Sequence, residues 1–516
     1  MYNKKNTAFF FIVLMIMLLP VVANVVQIYS TGQNIFNFSL GYYNDELMYF
    51  HSARQIAENG EVTGINGYGD KSSKNFNFNG WGAAPTYFLG TLYKLFGTPT
   101  FMTPVFINIL FYLLATIFFA FAATKQKIPK INILLAVGTF STTILYFFSA
   151  MIETFHISFA IIFAASFILL LKDKPQQINK KDKILDKIFI IITILLMIIA
   201  VFLRPLWGII LFLYLMFLIN KKLNIKYAFL ISFFIAISIT VIAYIIYTIT
   251  KATYLDADII SLNKASIFKT TIQSLYKIVR GTAIYIKNGH FFNFKVFNEL
   301  IFTCCIPFAL IVFIILLFKE WIHNFKIKKD SEKSIILLIC LFILLSTFFA
   351  TIAFYLYIQI FRMVLPFAMF IILILASIYD TKSFIKKYWA YLFSMLGITI
   401  ILFMYNFIVI NSGRFSADRL DNFYKEKQKL STLIDNYDKE CDYNNTVVFD
   451  YESSSVNITA FPTWIGLNVV EPDFNVENVK SKYFFTKNNA IIEQLLKNSW
   501  KVIDITKDNE YIMEKK

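Results

Sequence analysis

The stretch Gly41–Arg54, with the sequence GYYNDELMYFHSAR, follows the first long apolar segment and carries two adjacent carboxylates, Asp45 and Glu46. Helical periodicity puts Leu47 and Phe50 on an apolar stripe and Asp45 on a polar one, which predicts an amphipathic helix lying along a membrane surface. Neighbouring residues on a helix point in directions about 100° apart, so the two acids cannot serve one site equally well. Asp45 is our candidate for chemistry.

The composition indicates a membrane protein. Hydrophobic residues make up 57% of the 516 residues and charged residues only 16%, which is more apolar and less charged than soluble domains. The formal net charge of +16 does not indicate nucleic acid, because the Lys and Arg residues gather in short loops between apolar runs, where they orient membrane proteins. The four cysteines have neither disulfide-ladder nor metal-ligand spacing. We therefore expect a polytopic membrane protein without a zinc site or a redox role.

Apolar runs that approach the length of a bilayer crossing occur about eleven times. They fall at 9–28, 101–123, 131–150, 152–171, 187–203, 206–220, 227–249, 298–318, 334–354, 361–379 and 388–410. A cytoplasmic amino terminus puts five Lys-rich loops on the cytoplasmic side, as the positive-inside rule demands. We expect a multi-pass protein of the cytoplasmic membrane. An odd number of spans leaves the tail outside.

Three segments are predicted to lie outside the cytoplasm. The first outer loop, within 30–100, holds the acidic stretch and a short apolar run at 83–96, which predicts an interfacial or re-entrant helix. The second, within 250–297, is basic and suited to attract an anionic substrate. The tail, 411–516, alternates helical and β-branched patterns, which predicts a small extracytoplasmic α/β domain. Residues 1–410, which include the first two of these segments, form the predicted transmembrane domain.

Three further charged residues stand at the outer ends of predicted spans, namely Glu153, Arg204 and Arg362. Ionisable groups in membrane spans are costly and usually functional. Arginine suits phosphate oxygens because its planar guanidinium can donate two parallel hydrogen bonds. An acid from each of two segments, together with two arginines at the same depth, predicts a site for a phosphate-bearing lipid at the outer leaflet.

Each of these residues also has a simpler interpretation. The acidic pair would equally serve at the amino terminus of a helix, and Glu153 would serve as a solvated residue at a span end. The two arginines would serve as anchors whose stems cross the apolar layer while their charges reach water. His51 and His156 are expected to be polar packing residues and not ligands. The functional interpretation is favoured because four charged residues fall at one depth.

This pattern resembles the GT-C superfamily of integral membrane glycosyltransferases, which includes protein O-mannosyltransferases and the aminoarabinose transferases of lipid A. The acidic motif in their first outer loop is matched by 44–49, and their Pro-containing return helix by 84–97. The second acid, which opens their fourth span, is matched by Glu153. An Arg before a Pro-containing late span is matched by Arg362 and Pro366. The similarity lies in the order and sidedness of these short motifs.

The resemblance implies an inverting transfer of a sugar from a polyprenyl-phosphate donor to an extracytoplasmic acceptor, which is a glycan, a lipid or a protein. Asp45 would be the general base. Arg362, and more weakly Arg204, would bind the donor phosphate. Glu153 and Glu46 would bind the acceptor or a metal, and a requirement for a divalent metal is left open. Membrane lipids are expected partners, and nucleic acid is not.

Two other functions fit part of the pattern. A polysaccharide polymerase or ligase also has many spans and outer-loop arginines, but it does not need an acid directly after the first span. A transporter or flippase of lipid-linked glycans would show internal repeats and charges near mid-membrane, and the sequence has neither. The longer outer segments are the first loop and the tail, which favours the transferase.

Overall fold

The computed structural model is mostly helical, with a small sheet formed largely by the carboxy-terminal tail. It describes residues 4–39, 44–59, 66–68, 82–97, 100–140, 146–171, 180–250, 301, 305–328, 331–354, 360–411, 413–434, 447–450, 467–470, 477, 479, 483–505 and 509–515. Apart from its first residue, the predicted outer segment 250–297 lies outside the described residues.

The helices of the described part are numbered in chain order. They are α1 Lys4–Ser30, α2 Asn44–Asn59, α3 Ala83–Leu95, α4 Met102–Gln126, α5 Lys130–Val137, α6 Glu153–Leu171, α7 Lys180–Leu203, α8 Gly208–Asn220, α9 Ile225–Thr250, α10 Ile306–Ile322, α11 Ser331–Phe354, α12 Ile360–Ile378, α13 Thr381–Asn411, α14 Ala417–Ile434 and α15 Asn489–Lys497. The strands are β1 Asn66–Tyr68, β2 Val447–Asp450, β3 Leu467–Val470, β4 Tyr483–Thr486, β5 Trp500–Ile505 and β6 Tyr511–Lys515.

Seven helical segments within the described residues are long and apolar enough to cross a membrane. They are Lys4–Ser30, Met102–Gln126, Glu153–Leu171, Ile225–Thr250, Ile306–Lys326, Lys333–Thr351 and Thr381–Ile408. Three shorter apolar helices accompany them, at Lys187–Leu203, Pro205–Asn220 and Arg362–Ile378. The chain is therefore a multi-pass membrane protein, and the predicted number of about eleven spans is not confirmed.

The predicted span 131–150 is wrong as a single helix. α5 ends at Val137 after 8 residues, and the residues directly after it form turns. The backbone N–H of Phe140 donates to the carbonyl of Val137 at 3.0 Å, which is the hydrogen bond of a 3₁₀ turn and not of an α-helix. The hydroxyl of Thr139 donates back to Ala136 at 2.7 Å. Hydrophobicity over 20 residues does not distinguish one spanning helix from a broken one.

α6 lies at the centre of the helical part and packs against α4 and α12. In its most apolar window, 94% of the residues are buried, whereas the corresponding figure for α9 is 17%. The sequence explains this difference, because α6 has no continuous polar stripe and carries small residues such as Ala160 and Ala164 that allow close helix packing. The residue that opens this central helix is Glu153.

The sheet has the strand order β1-β3-β2-β4-β6-β5. The neighbours from β1 to β4 pair in parallel, and β6 runs antiparallel to both β4 and β5. Helices and strands alternate in the tail as its sequence predicts. The edge strand β1, however, comes from the first outer loop and pairs with β3, where Asn66 is opposite Leu467. The sheet therefore joins two segments that the sequence assigns to different domains.

α2 is helical as predicted, but the prediction that it is an amphipathic helix on a membrane surface is wrong. Its side chains are buried on several sides, including the polar residues His51 and Gln55. α3 covers one side of it, and the contact is close at Gly90. A Cβ atom at that position would lie 2.6 Å from Cβ of Ile56 and 2.9 Å from the carbonyl oxygen of Ala53. The missing side chain allows the two helices to pack.

Candidate functional site

Glu153, Arg204 and Arg362, which we call the Glu153 cluster, come together at the ends of their helices. Nε and Nη2 of Arg362 each lie 2.8 Å from Oε1 of Glu153. Nη2 of Arg204 lies 3.7 Å from the same oxygen, and Nη1 donates to the carbonyl of Arg362 at 2.9 Å. The three residues are only 3%, 4% and 7% exposed, in the order given. The interpretations as membrane anchors and as a solvated end residue are therefore wrong.

The local sequence explains why these three residues stand at helix ends. Pro205 cannot continue α7, and Arg204 before it has an extended backbone with φ −154°. Glu153 occupies the first turn of α6, where the helix dipole favours a carboxylate. Arg362 lies in the first turn of α12. Each of the three side chains therefore projects from the end of a helix.

Among the described residues, the Glu153 cluster brings two guanidinium groups to one carboxylate. Burying charge in a medium of low polarity is unfavourable unless it is compensated. The second carboxylate oxygen, Oε2 of Glu153, is buried and has no hydrogen-bond partner among the described residues. Buried polar atoms are nearly always paired. This oxygen can accept a hydroxyl of a ligand or contact a cation.

His156 lies one helical turn after Glu153 and is 1% exposed. The indole N–H of Trp207 donates to its Nδ1 at 3.0 Å, so the neutral imidazole carries its proton on Nε2. Trp207 packs in turn on the ring of Phe367, with 4.4 Å between the ring centroids. His156 is thus buried and hydrogen-bonded within the helical core, and its interpretation as a polar packing residue stays a prediction. His51 is likewise buried in α2.

Glu46 is fully buried and pairs with Arg414, a residue that the sequence analysis missed. Oε1 of Glu46 lies 2.5 Å from Nη2 of Arg414 and accepts the backbone N–H of Ala150 at 3.2 Å. Arg414 is 4% exposed. A signal was available, since Arg414 follows a predicted span at its outer end, as Arg204 does. The acceptor or metal role proposed for Glu46 stays a prediction.

The turn 146–150 connects the two acidic positions. Asn108 on α4 donates to two carbonyl groups of this turn, at 3.2 and 2.8 Å. At the end of this turn, the backbone N–H of Ala150 donates to the carboxylate of Glu46. Glu153 follows three residues later. The turn that replaces the predicted continuous span therefore relates the position of α2 to that of the Glu153 cluster.

Asp45 lies in the first turn of α2, and its side chain is outside the described residues. Its role as general base stays a prediction. Next to Asp45 in the sequence, Glu46 acts on Tyr93. Burial, and to a smaller extent the carboxylate of Glu46, raise the pKa of the Tyr93 hydroxyl. That hydroxyl is therefore a protonated group, and it has no hydrogen-bond partner in the described part of the chain. Within that same part, no three His, Cys, Asp or Glu side chains are grouped to hold a metal.

Comparisons with known proteins add a likeness of fold. Neither a protein-family model nor a curated protein matches the chain. Two crystal structures of the Archaeoglobus fulgidus oligosaccharyltransferase align with it, one of a complex with Zn and sulfate and one of the apo form. The first alignment has a TM-score of 0.48 and 12% identity over 92% of this chain and 68% of that chain. The second has a TM-score of 0.47 and 12% identity over 94% and 70%. Similarity at this level does not establish an activity.

Proposed function

We propose that this chain is a membrane glycosyltransferase of the GT-C kind, which transfers a sugar from a polyprenyl-phosphate donor to an acceptor outside the cytoplasmic membrane. The observation that carries the proposal is the Glu153 cluster, in which two arginines and one carboxylate meet in a buried position between helices of a multi-pass membrane protein. Its chemistry fits a ligand that is both anionic and carried by a lipid.

The arginines of the cluster are the proposed phosphate ligands. A guanidinium group has five N–H donors in a planar arrangement that matches two oxygens of a phosphate. A phosphate beside Arg362 and Arg204 would accept hydrogen bonds from both side chains. Positive groups held in place before the reaction stabilise charge as it develops on the leaving phosphate.

In the proposed mechanism, a hydroxyl of the acceptor attacks the anomeric carbon of the sugar from the side opposite the phosphate. Asp45 takes the hydroxyl proton as the new bond forms. The bond between the anomeric carbon and the phosphate oxygen breaks with its electron pair moving to that oxygen, and polyprenyl phosphate leaves. The configuration at the anomeric carbon is inverted. Phosphate is a stable leaving group, so the mechanism needs no general acid.

Glu153 has a second role in this proposal. One oxygen of its carboxylate holds the arginines, and the other, Oε2, has no partner among the described residues. We assign Oε2 to the acceptor, whose hydroxyl it would orient by accepting a hydrogen bond. The acceptor itself is a glycan, a lipid or a protein. We place the site at the outer face and the amino terminus in the cytoplasm, in agreement with the Lys-rich loops.

The test is a transfer assay with the purified protein in lipid nanodiscs. Defined polyprenyl-phosphate sugars are supplied with candidate acceptors, and the release of free polyprenyl phosphate is measured. We expect release that depends on the acceptor and that falls strongly in Glu153→Gln. A folded protein that releases no lipid phosphate from any donor contradicts the proposal. Products extended by many sugars would favour a polysaccharide polymerase, and movement of intact donor across the membrane would favour a transporter.

A further inference from the structure

We propose that Arg414 is a positioning residue of this site. Through Glu46 it holds the amino end of α2, which carries Asp45, and the turn 146–150, which leads into Glu153. The inference rests on the proposed function, because it assigns Arg414 to the same reaction. It also assigns the beginning of the carboxy-terminal tail a part in catalysis, as the structural support of residues in the first outer loop.

The ion pair between Arg414 and Glu46 is the first observation. Nη2 of Arg414 and Oε1 of Glu46 are 2.5 Å apart, and the two side chains are 4% and 0% exposed. The guanidinium carbon of Arg414 also lies 5.0 Å from the centroid of the Phe38 ring. A charged pair buried to this degree is sensitive to the loss of either partner, because the remaining charge stays buried without its counterpart.

The backbone of Arg414 is held as firmly as its side chain. Its carbonyl oxygen accepts the N–H of Ser39 at 3.1 Å and the hydroxyl of Ser39 at 3.0 Å. On the next residue, the N–H of Phe415 donates to Oε1 of Gln33 at 2.9 Å, and the carbonyl accepts the N–H of Asn34 at 3.3 Å. The segments 33–39 and 413–416 are therefore joined by backbone contacts in addition to the ion pair of Arg414 with Glu46.

Glu46 transmits this position to the Glu153 cluster. The same carboxylate oxygen that pairs with Arg414 accepts the N–H of Ala150, and Ala150 precedes Glu153 by three residues. A displacement of Glu46 would thus alter two elements of the proposed site, the start of α2 and the entry into α6. The strand pairing of β1 with β3 is a second attachment of the first outer loop to the tail.

The chain offers a matched control for this pair. Lys387 on α13 pairs with Glu320 on α10, with side chains 19% and 10% exposed. This pair also joins two helices that are distant in sequence, but it contacts neither α2 nor the turn 146–150 among the interactions described. Lys387→Met therefore removes the positive charge of a partly buried ion pair, as Arg414→Met removes that of a fully buried one. It leaves the contacts of Glu46 with Arg414 and Ala150 in place.

Hydrogen exchange measures the positioning effect without relying on activity. In Arg414→Met we expect the backbone amides of α2 and of Ala150 to exchange about tenfold faster or more, because the contacts that hold them are lost. In Lys387→Met these amides should exchange as in the wild type. Unchanged exchange in Arg414→Met overturns the inference. If Arg414→Met does not fold, Arg414→Lys decides, since it keeps the charge but loses the planar guanidinium.

Kinetics then distinguish positioning from general stability. Arg414→Met should lower kcat about tenfold or more with little change in KM for the donor, because misplacing a base slows the chemical step. Arg414→Lys should recover part of kcat, and Lys387→Met should keep the wild-type value. Faster exchange in α2 with normal kcat overturns the catalytic part. If the wild type transfers no sugar, the proposed function fails, whereas hydrogen exchange still decides whether Arg414 positions α2.

Discussion

Two clusters of buried charge in this protein contain similar residues but differ in how completely they are satisfied. In the Glu320 cluster, formed by Glu320, Lys387, Tyr379 and Asn324, one carboxylate meets one ammonium group. The same oxygen of Glu320 accepts the Tyr379 hydroxyl at 3.1 Å and the Asn324 amide at 2.6 Å. The charges cancel. In the Glu153 cluster, as far as the described residues show it, two guanidinium groups meet one carboxylate, and one oxygen of that carboxylate has no hydrogen-bond partner.

The difference favours a structural role for the Glu320 cluster and a ligand site at the Glu153 cluster. An ion pair of one carboxylate and one ammonium group, supported by a hydroxyl and an amide, holds helices together and needs no ligand. A fully buried carboxylate oxygen without a hydrogen-bond partner among the described residues is costly to maintain by itself. A ligand hydroxyl that donates to this oxygen would remove that cost.

The largest effect is expected for Asp45→Asn, next to the Glu153 cluster in the proposed mechanism. An amide of nearly the same shape cannot take the proton, and loss of a general base costs about 10²–10⁴-fold in rate. The measurement is single-turnover sugar transfer by purified protein. Expression and donor binding should survive, because Asn serves at a helix amino terminus about as well as Asp. Near-normal transfer by Asp45→Asn would contradict the proposed mechanism.

The next effect concerns stability alone and lies in the Glu320 cluster. Glu320→Gln removes the charge of one partner of a partly buried pair, which should cost about 3 kcal/mol in the free energy of unfolding, at the lower end for buried pairs. Thermal denaturation in detergent measures the loss against the wild type. The value of kcat/KM per folded molecule should stay unchanged. A specific loss of transfer would mean that the balanced cluster is also part of the functional site.

Arg362→Lys tests the Glu153 cluster at smaller magnitude. Lysine keeps one positive charge but cannot form the bidentate contact, so about 1.5–3 kcal/mol of a charged hydrogen bond should be lost. We expect kcat/KM for the donor to fall by roughly 10–150-fold at that energy. Lys387→Arg in the Glu320 cluster is the control and should leave donor use unchanged. Wild-type kinetics for Arg362→Lys would remove Arg362 from the phosphate site.

The smallest effect tests the close packing of α2 on α3. Gly90→Ala places a methyl group 2.6 Å from Cβ of Ile56, and overpacking of this kind costs about 1–3 kcal/mol. Gly397→Ala on α13 is the control, because a Cβ added there would meet no described atom within 4 Å and Ala is the better helix former. Thermal denaturation of the two variants should move in opposite directions. Equal stability of Gly90→Ala and the wild type would contradict this packing.

Local patterns in the sequence predicted much of this structure. The helical periodicity of α2 and α3, the start of α6 at Glu153 and the alternation of the tail were each predicted and are observed. So is the gathering of charges that stand at span ends, since Glu153, Arg204 and Arg362 meet. These features depend on a residue and its near neighbours, or on membrane depth, which the hydrophobic pattern specifies directly.

The errors have a common physical origin in contacts between distant segments. The burial of α2 depends on α3 crossing it at Gly90, and the break in the predicted span 131–150 depends on how the turn is held by Asn108. Strand β1 has three residues and no strand-like alternation of its own. It forms a strand because it pairs with β3, and its own sequence does not predict this.

Local hydrophobic patterns were enough to assign this protein to a membrane, to locate most of its helices and to identify charged residues at the ends of predicted spans. The pairing of Glu46 with Arg414 is visible only in the folded chain. Glu46 and Arg414 are 368 residues apart in the chain, and no local pattern relates them. Hydrophobicity acts on each segment separately, whereas an ion pair forms only where the packed helices bring two particular side chains within a few ångströms. For that reason the helices followed from the sequence, and the pairing of Arg414 did not.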